Sequence, residues 1–205
     1  MTISVDGREM DAGGSLLDVI LAAGISLPHL CKDDNLPAIG ACRTCLVEAD
    51  GRVVAACSYP AADVKTVQTA TDRVTRLRRT ILELTAAMQS APGEASLGPH
   101  GNEAAETVRL SGADPSRYDT RTGTVIDRSA PFFSFHEESC ILCGRCVVAC
   151  QALQHISAIG LAGRGRQTRV TPGADQSFRE SICTSCGSCV AACPTPALRP
   201  REGGF

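Results

Sequence analysis

The chain has 205 residues, a formal net charge of −2, only 3% aromatic residues and no Trp. These figures allow one or two modest domains with a thin apolar core, and no block of like charge points to nucleic acid. The longest apolar tract, Leu16 to Leu30, is broken by Asp18, Gly24, Pro28 and His29 and falls far short of the roughly 20 residues that span a bilayer.

Residues 1–70 open with Ile3 and Val5, a turn at Asp6-Gly7 and an apolar stretch from Leu16 to Ala23, which predicts strand, turn and helix. Leu46-Val47-Glu48, Asp50-Gly51 and Val53-Val54-Ala55 predict a hairpin. Together they describe a small mixed β domain. From Thr71 a helix is expected, with one apolar face made of Val74, Leu77, Ile81, Leu84 and Met88. Arg73, Arg76, Arg78 and Arg79 mostly take its other side, as a solvated face rather than a docking surface for an acidic partner. Gln89 to Asp114 is rich in Ala, Gly, Pro, Ser and Glu and reads as a loop, so residues 71–129 form a spacer. Residues 130–205 repeat one pattern, CILCGRCVVAC and then CTSCGSCVAACP. Val147-Val148-Ala149 and Val190-Ala191-Ala192 are expected to start a short helix beneath each copy.

All twelve cysteines fall into three groups of four with none left over. MTISVDGREM shows no basic segment followed by an apolar run, so no signal peptide or twin-arginine leader is expected and the cytosol is the expected compartment. In a reducing cytosol such thiols serve as metal ligands rather than disulfides. A C-x2-C-x2-C run lets successive sulfurs point to one centre, and small neighbours such as Gly144, Thr184, Gly187 and Ser188 let backbone amides approach them. In two-cluster ferredoxins the fourth cysteine of each run serves the other cluster. On that pattern Cys140, Cys143, Cys146 and Cys193 hold one 4Fe-4S cluster, and Cys183, Cys186, Cys189 and Cys150 the second. Pro194 completes the bacterial motif, whereas structural zinc usually takes paired ligands from separate knuckles.

Cys31, Cys42, Cys45 and Cys57 form the remaining group, C-x10-C-x2-C-x11-C, which departs from the plant-type spacing in its first interval. Gly40-Ala41 and Arg43-Thr44 supply the flexible, donor-rich loop that a 2Fe-2S site requires. Buried free cysteines are the competing reading. Of the histidines, His29 is expected to orient the loop before Cys31, and His100, His136 and His155 are expected to be ordinary surface or satisfied residues. No nucleophile with its base, phosphate-cradling Gly loop or paired carboxylates is visible, so no catalytic residue is assigned.

The order PHLC…GACRTCLVE…ACSYP, APFFSF…CILCGRCVVAC, GRGRQTRV and FRESICTSCGSCVAACPTPAL resembles the iron-sulfur front end shared by three kinds of complex. These are the large iron-sulfur subunit of complex I, the diaphorase small subunit of NAD-linked hydrogenases, and the N-terminal region of NAD-linked molybdenum or tungsten formate dehydrogenases. GRGRQTRV and FRESICTSCG look most similar to the formate dehydrogenases. The resemblance implies an α+β chain: a β-grasp 2Fe-2S ferredoxin domain over 1–70, a helical spacer over 71–129, and a bacterial-type double 4Fe-4S ferredoxin domain over 130–205.

The family also carries a 4Fe-4S site held by one His and three Cys. In the matching region, LELTAAMQSAPGEASLGPHGNEAAE, His100 remains but no cysteine does, so three clusters are expected instead of four. In the complex I arrangement the 2Fe-2S cluster hands electrons to the cubane matching the Cys140 motif, so three remain contiguous. The resemblance implies a cytoplasmic electron-transfer subunit between a flavin/NAD-binding diaphorase subunit and a separate molybdopterin or hydrogenase catalytic subunit, with formate favoured over hydrogen. The chain ends at TPALRPREGGF, where relatives with a fused molybdopterin domain continue, which is the basis for expecting a separate catalytic chain. A freestanding ferredoxin-like carrier is the alternative.

Overall fold

The computed structural model describes residues 1–90, 101–121 and 125–201. The first strand, β1 (Thr2–Val5), alternates so that Ile3 and Val5 are fully buried, and the left-handed pair Asp6-Gly7 (φ 48° and 83°) turns the chain back into β2 (Arg8–Asp11). That second strand is not among the elements expected from sequence. Its residues, Arg-Glu-Met-Asp, lie along an open sheet edge and are mostly exposed, so the segment carries no apolar alternation.

Helix α1 (Leu16–Ala22) begins at a capping box, Ser15 with Asp18, and buries Leu16, Leu17, Val19 and Ile20. The expected hairpin is present as β3 (Leu46–Ala49) and β4 (Arg52–Ala55), turning at Asp50-Gly51, both with positive φ. Strand β5 (Thr66–Gln68) then enters the middle of the sheet, parallel to β1 and antiparallel to β3, giving the order β2-β1-β5-β3-β4. This is the β-grasp arrangement. Asp6 fixes the end of β5 by accepting hydrogen bonds from the Thr69 N–H (2.8 Å) and hydroxyl (2.5 Å).

Helix α2 (Asp72–Ala86) starts where expected, with Thr71 as its cap, but its buried face is not the expected one. Val74, Leu82, Thr85 and Ala86 are buried, whereas Leu77 and Leu84 are about two-fifths exposed. The reason is Arg78. Its stem lies along the sheet while its guanidinium donates to the carbonyls of Leu46 (2.8 Å) and Thr69 (2.7 Å), which rotates an arginine toward the core. Arg73, Arg76 and Arg79 are exposed.

Part of the expected loop is also helical. Helix α3 (Glu103–Leu110) starts at Asn102, whose side chain accepts from the Ala105 N–H, and buries Ala104 and Val108 against the same core as the sheet. With only two buried apolar positions it gives little periodic signal. The rest of that loop, including His100, lies outside the described residues.

The C-terminal part contains β6 (Ile126–Asp127), β7 (Phe133–His136) and the last strand of the chain, with β7 paired between the other two. Between them run α4 (Arg145–Val148), the hairpin β8 (Ile159–Ala162) and β9 (Arg169–Pro172), α5 (Ser188–Ala191) and β10 (Leu198–Pro200). Both expected short helices are present, each beginning one residue beyond a left-handed glycine, Gly144 or Gly187. A buried Arg121–Glu137 ion pair, the Arg121 N–H donating to Ala87 (2.7 Å), and Gln89 donating to the Ser139 carbonyl (2.8 Å) tie the end of α2 to this part.

Phe178 sits at its centre, edge-on to Phe133 (5.0 Å between centroids) and Phe135 (6.3 Å). In a chain with so few aromatics this cluster is a large fraction of the core. Phe178→Ala is expected to destabilise the C-terminal part by about 3–5 kcal/mol. Urea titration of the cluster-loaded protein should show 4Fe-4S absorption lost at lower urea than in the parent, ahead of the 2Fe-2S signal.

Candidate metal centres

Three chain segments bring the first four thiols together. Cys31 follows the Leu27–Leu30 turn after α1, Cys42 and Cys45 sit on the loop leading into β3, and Cys57 lies in a 3-10 turn after β4. The loop is shaped by left-handed Gly40 (φ 67°) and Arg43 (φ 58°). A Cβ at Gly40 would approach the Ser58 hydroxyl to 3.2 Å, so the loop lies tight against the Cys57 turn. The Cys31 N–H donates to the Cys42 sulfur (3.3 Å), and the Thr44 hydroxyl contacts that sulfur (3.1 Å) while accepting from the Leu30 N–H (3.2 Å).

These four thiols share protons. Hydrogen bonding from Cys42, and then from Cys57, holds Cys31 far below its usual value, to about 2, and the bond from Cys57 lowers Cys45 to about 7. The donors Cys42 and Cys57 are pushed upward by the same bonds. Four thiols close enough to hydrogen-bond one another suit an iron cluster, which takes all four as thiolates.

The other eight thiols line two separate cavities. One is lined by Cys140, Cys143, Cys146 and Cys193 together with Phe135, Pro194 and Leu198. The other is lined by Cys150, Cys183, Cys186 and Cys189 with Phe133, Ile156 and Ile159. Each cavity therefore takes three sulfurs from one run and the last sulfur of the other.

The two runs are pseudo-symmetric down to single backbone groups. Leu142 and Ser185 adopt left-handed φ of 55° and 57° and aim their N–H groups at the sulfurs of Cys140 and Cys183, both at 3.4 Å. Gly144 and Gly187 follow at 82° and 80°. The Ala158 N–H donates to the crossing sulfur of Cys150 (3.2 Å). Burial pushes the Cys140 and Cys189 thiols up to about 12 and raises Cys143 and Cys146 as well, so metal binding here must displace protons. Convergent sulfurs, amide donors and an apolar wall form a donor set that fits an iron-sulfur cubane. Among the described residues, no three His, Cys, Asp or Glu side chains are grouped as for a single metal ion.

Among the described residues, no histidine lines either cavity. The His29 ring bonds to the Leu27 carbonyl (2.6 Å), bracing the turn before Cys31. His136 is buried against Ser134 (3.0 Å) and His155 is exposed.

One residue of the site carries no functional signal in the sequence. Arg145, between Cys143 and Cys146, is 4% exposed. Its guanidinium donates to the Lys32 carbonyl (2.6 Å), beside Cys31, and pairs with Glu103 of α3 (3.0 Å). The motif shows only its spacing, since its partners lie 113 and 42 residues away.

Residues 1–72 match a 2Fe-2S iron-sulfur cluster binding domain and residues 139–197 a 4Fe-4S dicluster domain, which identifies one 2Fe-2S and two 4Fe-4S clusters as the cofactors. A chain in the crystal structure of an NAD+-reducing [NiFe]-hydrogenase in the H2-reduced state superposes with a TM-score of 0.85 at 30% identity, covering 100% of this chain and 88% of that one. This chain belongs to the iron-sulfur family of NAD-linked oxidoreductases. Other members of that family are similar over most of its length. An NADH-quinone oxidoreductase subunit of Rhizobium meliloti is 32% identical over 83% of this chain, and the protein named "Putative formate dehydrogenase YrhE" of Bacillus subtilis is 28% identical over 75%. The chain spans 21% and 16% of the lengths of those two relatives. Between Cys57 and Cys140 the chain contains no cysteine.

The paired glycines give a direct test of the site's backbone. At φ near +80°, an L side chain costs about 1–2 kcal/mol. Within the chain a Cβ at Gly187 meets nothing within 4 Å and one at Gly144 meets Ile39 at 3.9 Å, so Gly187→Ala and Gly144→Ala add backbone strain without a clash against protein atoms. Both variants are expected to lose 4Fe-4S absorption at lower urea than the parent by similar amounts.

Proposed function

We propose that this protein is a cytoplasmic electron-relay subunit. Cys31, Cys42, Cys45 and Cys57 would hold the 2Fe-2S cluster, Cys140, Cys143, Cys146 and Cys193 the first 4Fe-4S cluster, and Cys183, Cys186, Cys189 and Cys150 the second. Bound there, the clusters supply one-electron carriers. The relay would join a flavin/NAD-binding diaphorase subunit to a separate catalytic subunit, a molybdopterin enzyme oxidising formate.

Continuity of the three thiol sets supports this reading. Ile141 and Cys143 of the first cubane site belong to the same packed core as Cys31, Cys45 and Cys57, and Ile39 of the 2Fe-2S loop faces Gly144. Cys150 and Cys193 then cross between the two cubane sites. The chain thus has neighbouring sites throughout, without sulfur from the spacer.

The sites differ in access. All four thiols of the first cubane site are buried, whereas Cys186 is exposed and Cys42 and Cys183 are half-buried. Ser181 to Leu198, which includes the exposed Ile182 beside Cys183, carries no charged residue. Only residues 181–188 and Ala191 of this segment reach the surface, and an uncharged exposed loop beside the cysteines suits a lasting partner better than an electrostatically steered shuttle. The near-full-length match to a hydrogenase chain favours a second reading, with hydrogen as the partner's substrate.

Purified protein is expected to contain about ten irons per chain; about fourteen would contradict the missing site. Cys193→Ala should abolish the EPR signal of the first cubane and Cys150→Ala that of the second, and the reverse result would overturn the crossing. Tagged protein isolated from its native cells should carry flavin together with molybdenum or tungsten for formate, or with nickel for hydrogen. Isolation as a cluster-loaded monomer alone would favour the freestanding carrier.

A further inference from the structure

We infer that Arg145 is the electrostatic junction of the relay: a buried cation that clamps the 2Fe-2S loop to the first cubane loop and, opposed by Glu103, sets the potential of the first cubane. The inference rests on the ligand sets proposed above.

The placement of the guanidinium is unusual for a charged group. Arginine is almost never fully buried unless paired, and this one lies at the start of α4, inside a C-x2-C run, with 4% of its surface exposed. One terminal nitrogen reaches the Lys32 carbonyl at 2.6 Å, one residue past Cys31. The Glu103 carboxylate pairs with both terminal nitrogens, at 3.0 and 3.2 Å. The third nitrogen, Nε, is buried with no protein partner among the described residues. A buried donor without an acceptor is costly, and a sulfur of an adjacent cluster is an acceptor of the right kind.

Helix α3 makes this a junction rather than a single pair. Its first turn supplies Glu103 to Arg145, and the next residue, Ala104, donates its N–H to the Pro194 carbonyl (3.4 Å), adjoining the crossing ligand Cys193. The same turn therefore touches both chain passes that frame the first cubane site. The helix lies in the spacer, which contributes no sulfur.

The direction of the electrostatic effect follows from charge. Reduction adds an electron, so a fixed cation in a poorly solvated site favours the reduced state and raises the potential, and a fixed carboxylate lowers it. Glu103 is one-third exposed in its side chain, so solvent screens it more than Arg145. Arg145 is a positioning residue that also acts through its field. A purely structural role would make loss of either partner act alike; a field role makes them act oppositely.

The test is an EPR-monitored redox titration of the cluster-loaded full chain, following the signal that Cys193→Ala removes. Arg145→Met is expected to shift that midpoint negative, Glu103→Gln to shift it positive while leaving a hydrogen-bond acceptor for Arg145, and Arg145→Lys to restore most of the parent value. The second cubane should move less in every variant. If Arg145→Met does not load clusters, Glu103→Gln and Arg145→Lys decide alone. Shifts of the same sign, or none in Glu103→Gln, overturn the inference while the parent still carries about ten irons. A parent with a different iron content would instead remove the relay reading beneath it.

Discussion

The constraint on which the C-terminal half depends is that Cys150 and Cys193 each line the cavity of the other cysteine run. Each cavity is closed only when the end of one repeat reaches the start of the other, so neither copy of the motif can form a complete set of four sulfurs alone. The β7–β10 pairing brings the chain past Cys193 back beside the strand that precedes Cys140. Around this crossing the apolar core is small, consisting mainly of three phenylalanines and short aliphatic side chains. A core of that size is marginal without further ties, and metal-ligand bonds are the natural supplement.

The same economy explains the backbone. Four sulfurs can face one centre over such short spacings only if the chain reverses between them. Leu142, Gly144, Ser185 and Gly187 supply those reversals in the left-handed region. Leucine and serine are strained there, and the amide-to-sulfur bonds that they donate give the strain a local compensation. Glycine is used where the helix must start immediately afterwards, at α4 and α5.

The legible parts of the sequence are the local ones. The Asp50-Gly51 turn and the start of α2 near Thr71 each depend on a few neighbouring residues, and each forms as its local pattern implies. The features that sequence hides all involve distant partners or weak periodicity. Strand β2 is an edge strand whose exposed residues show no alternation. The apolar pattern of α2 points a fraction of a turn away from its buried face because Arg78 resembles a surface residue, and only its bonds to Leu46 and Thr69 turn it inward. Helix α3 has too few buried positions to announce itself, and Arg145 resembles an ordinary motif residue because Lys32 is remote in sequence.

The cysteine-free stretch between Cys57 and Cys140 has a structural part of its own, carried by α3. Its first turn contacts both chain passes that line the Cys140–Cys193 cavity. Glu103 meets Arg145, Ala104 meets Pro194, and Val108 joins the core of the β-grasp domain. A segment without sulfur thereby holds together the loops that have it. The loop before Cys42 and the loop around Cys143 also meet directly, since a Cβ at Gly144 would lie 3.9 Å from Ile39.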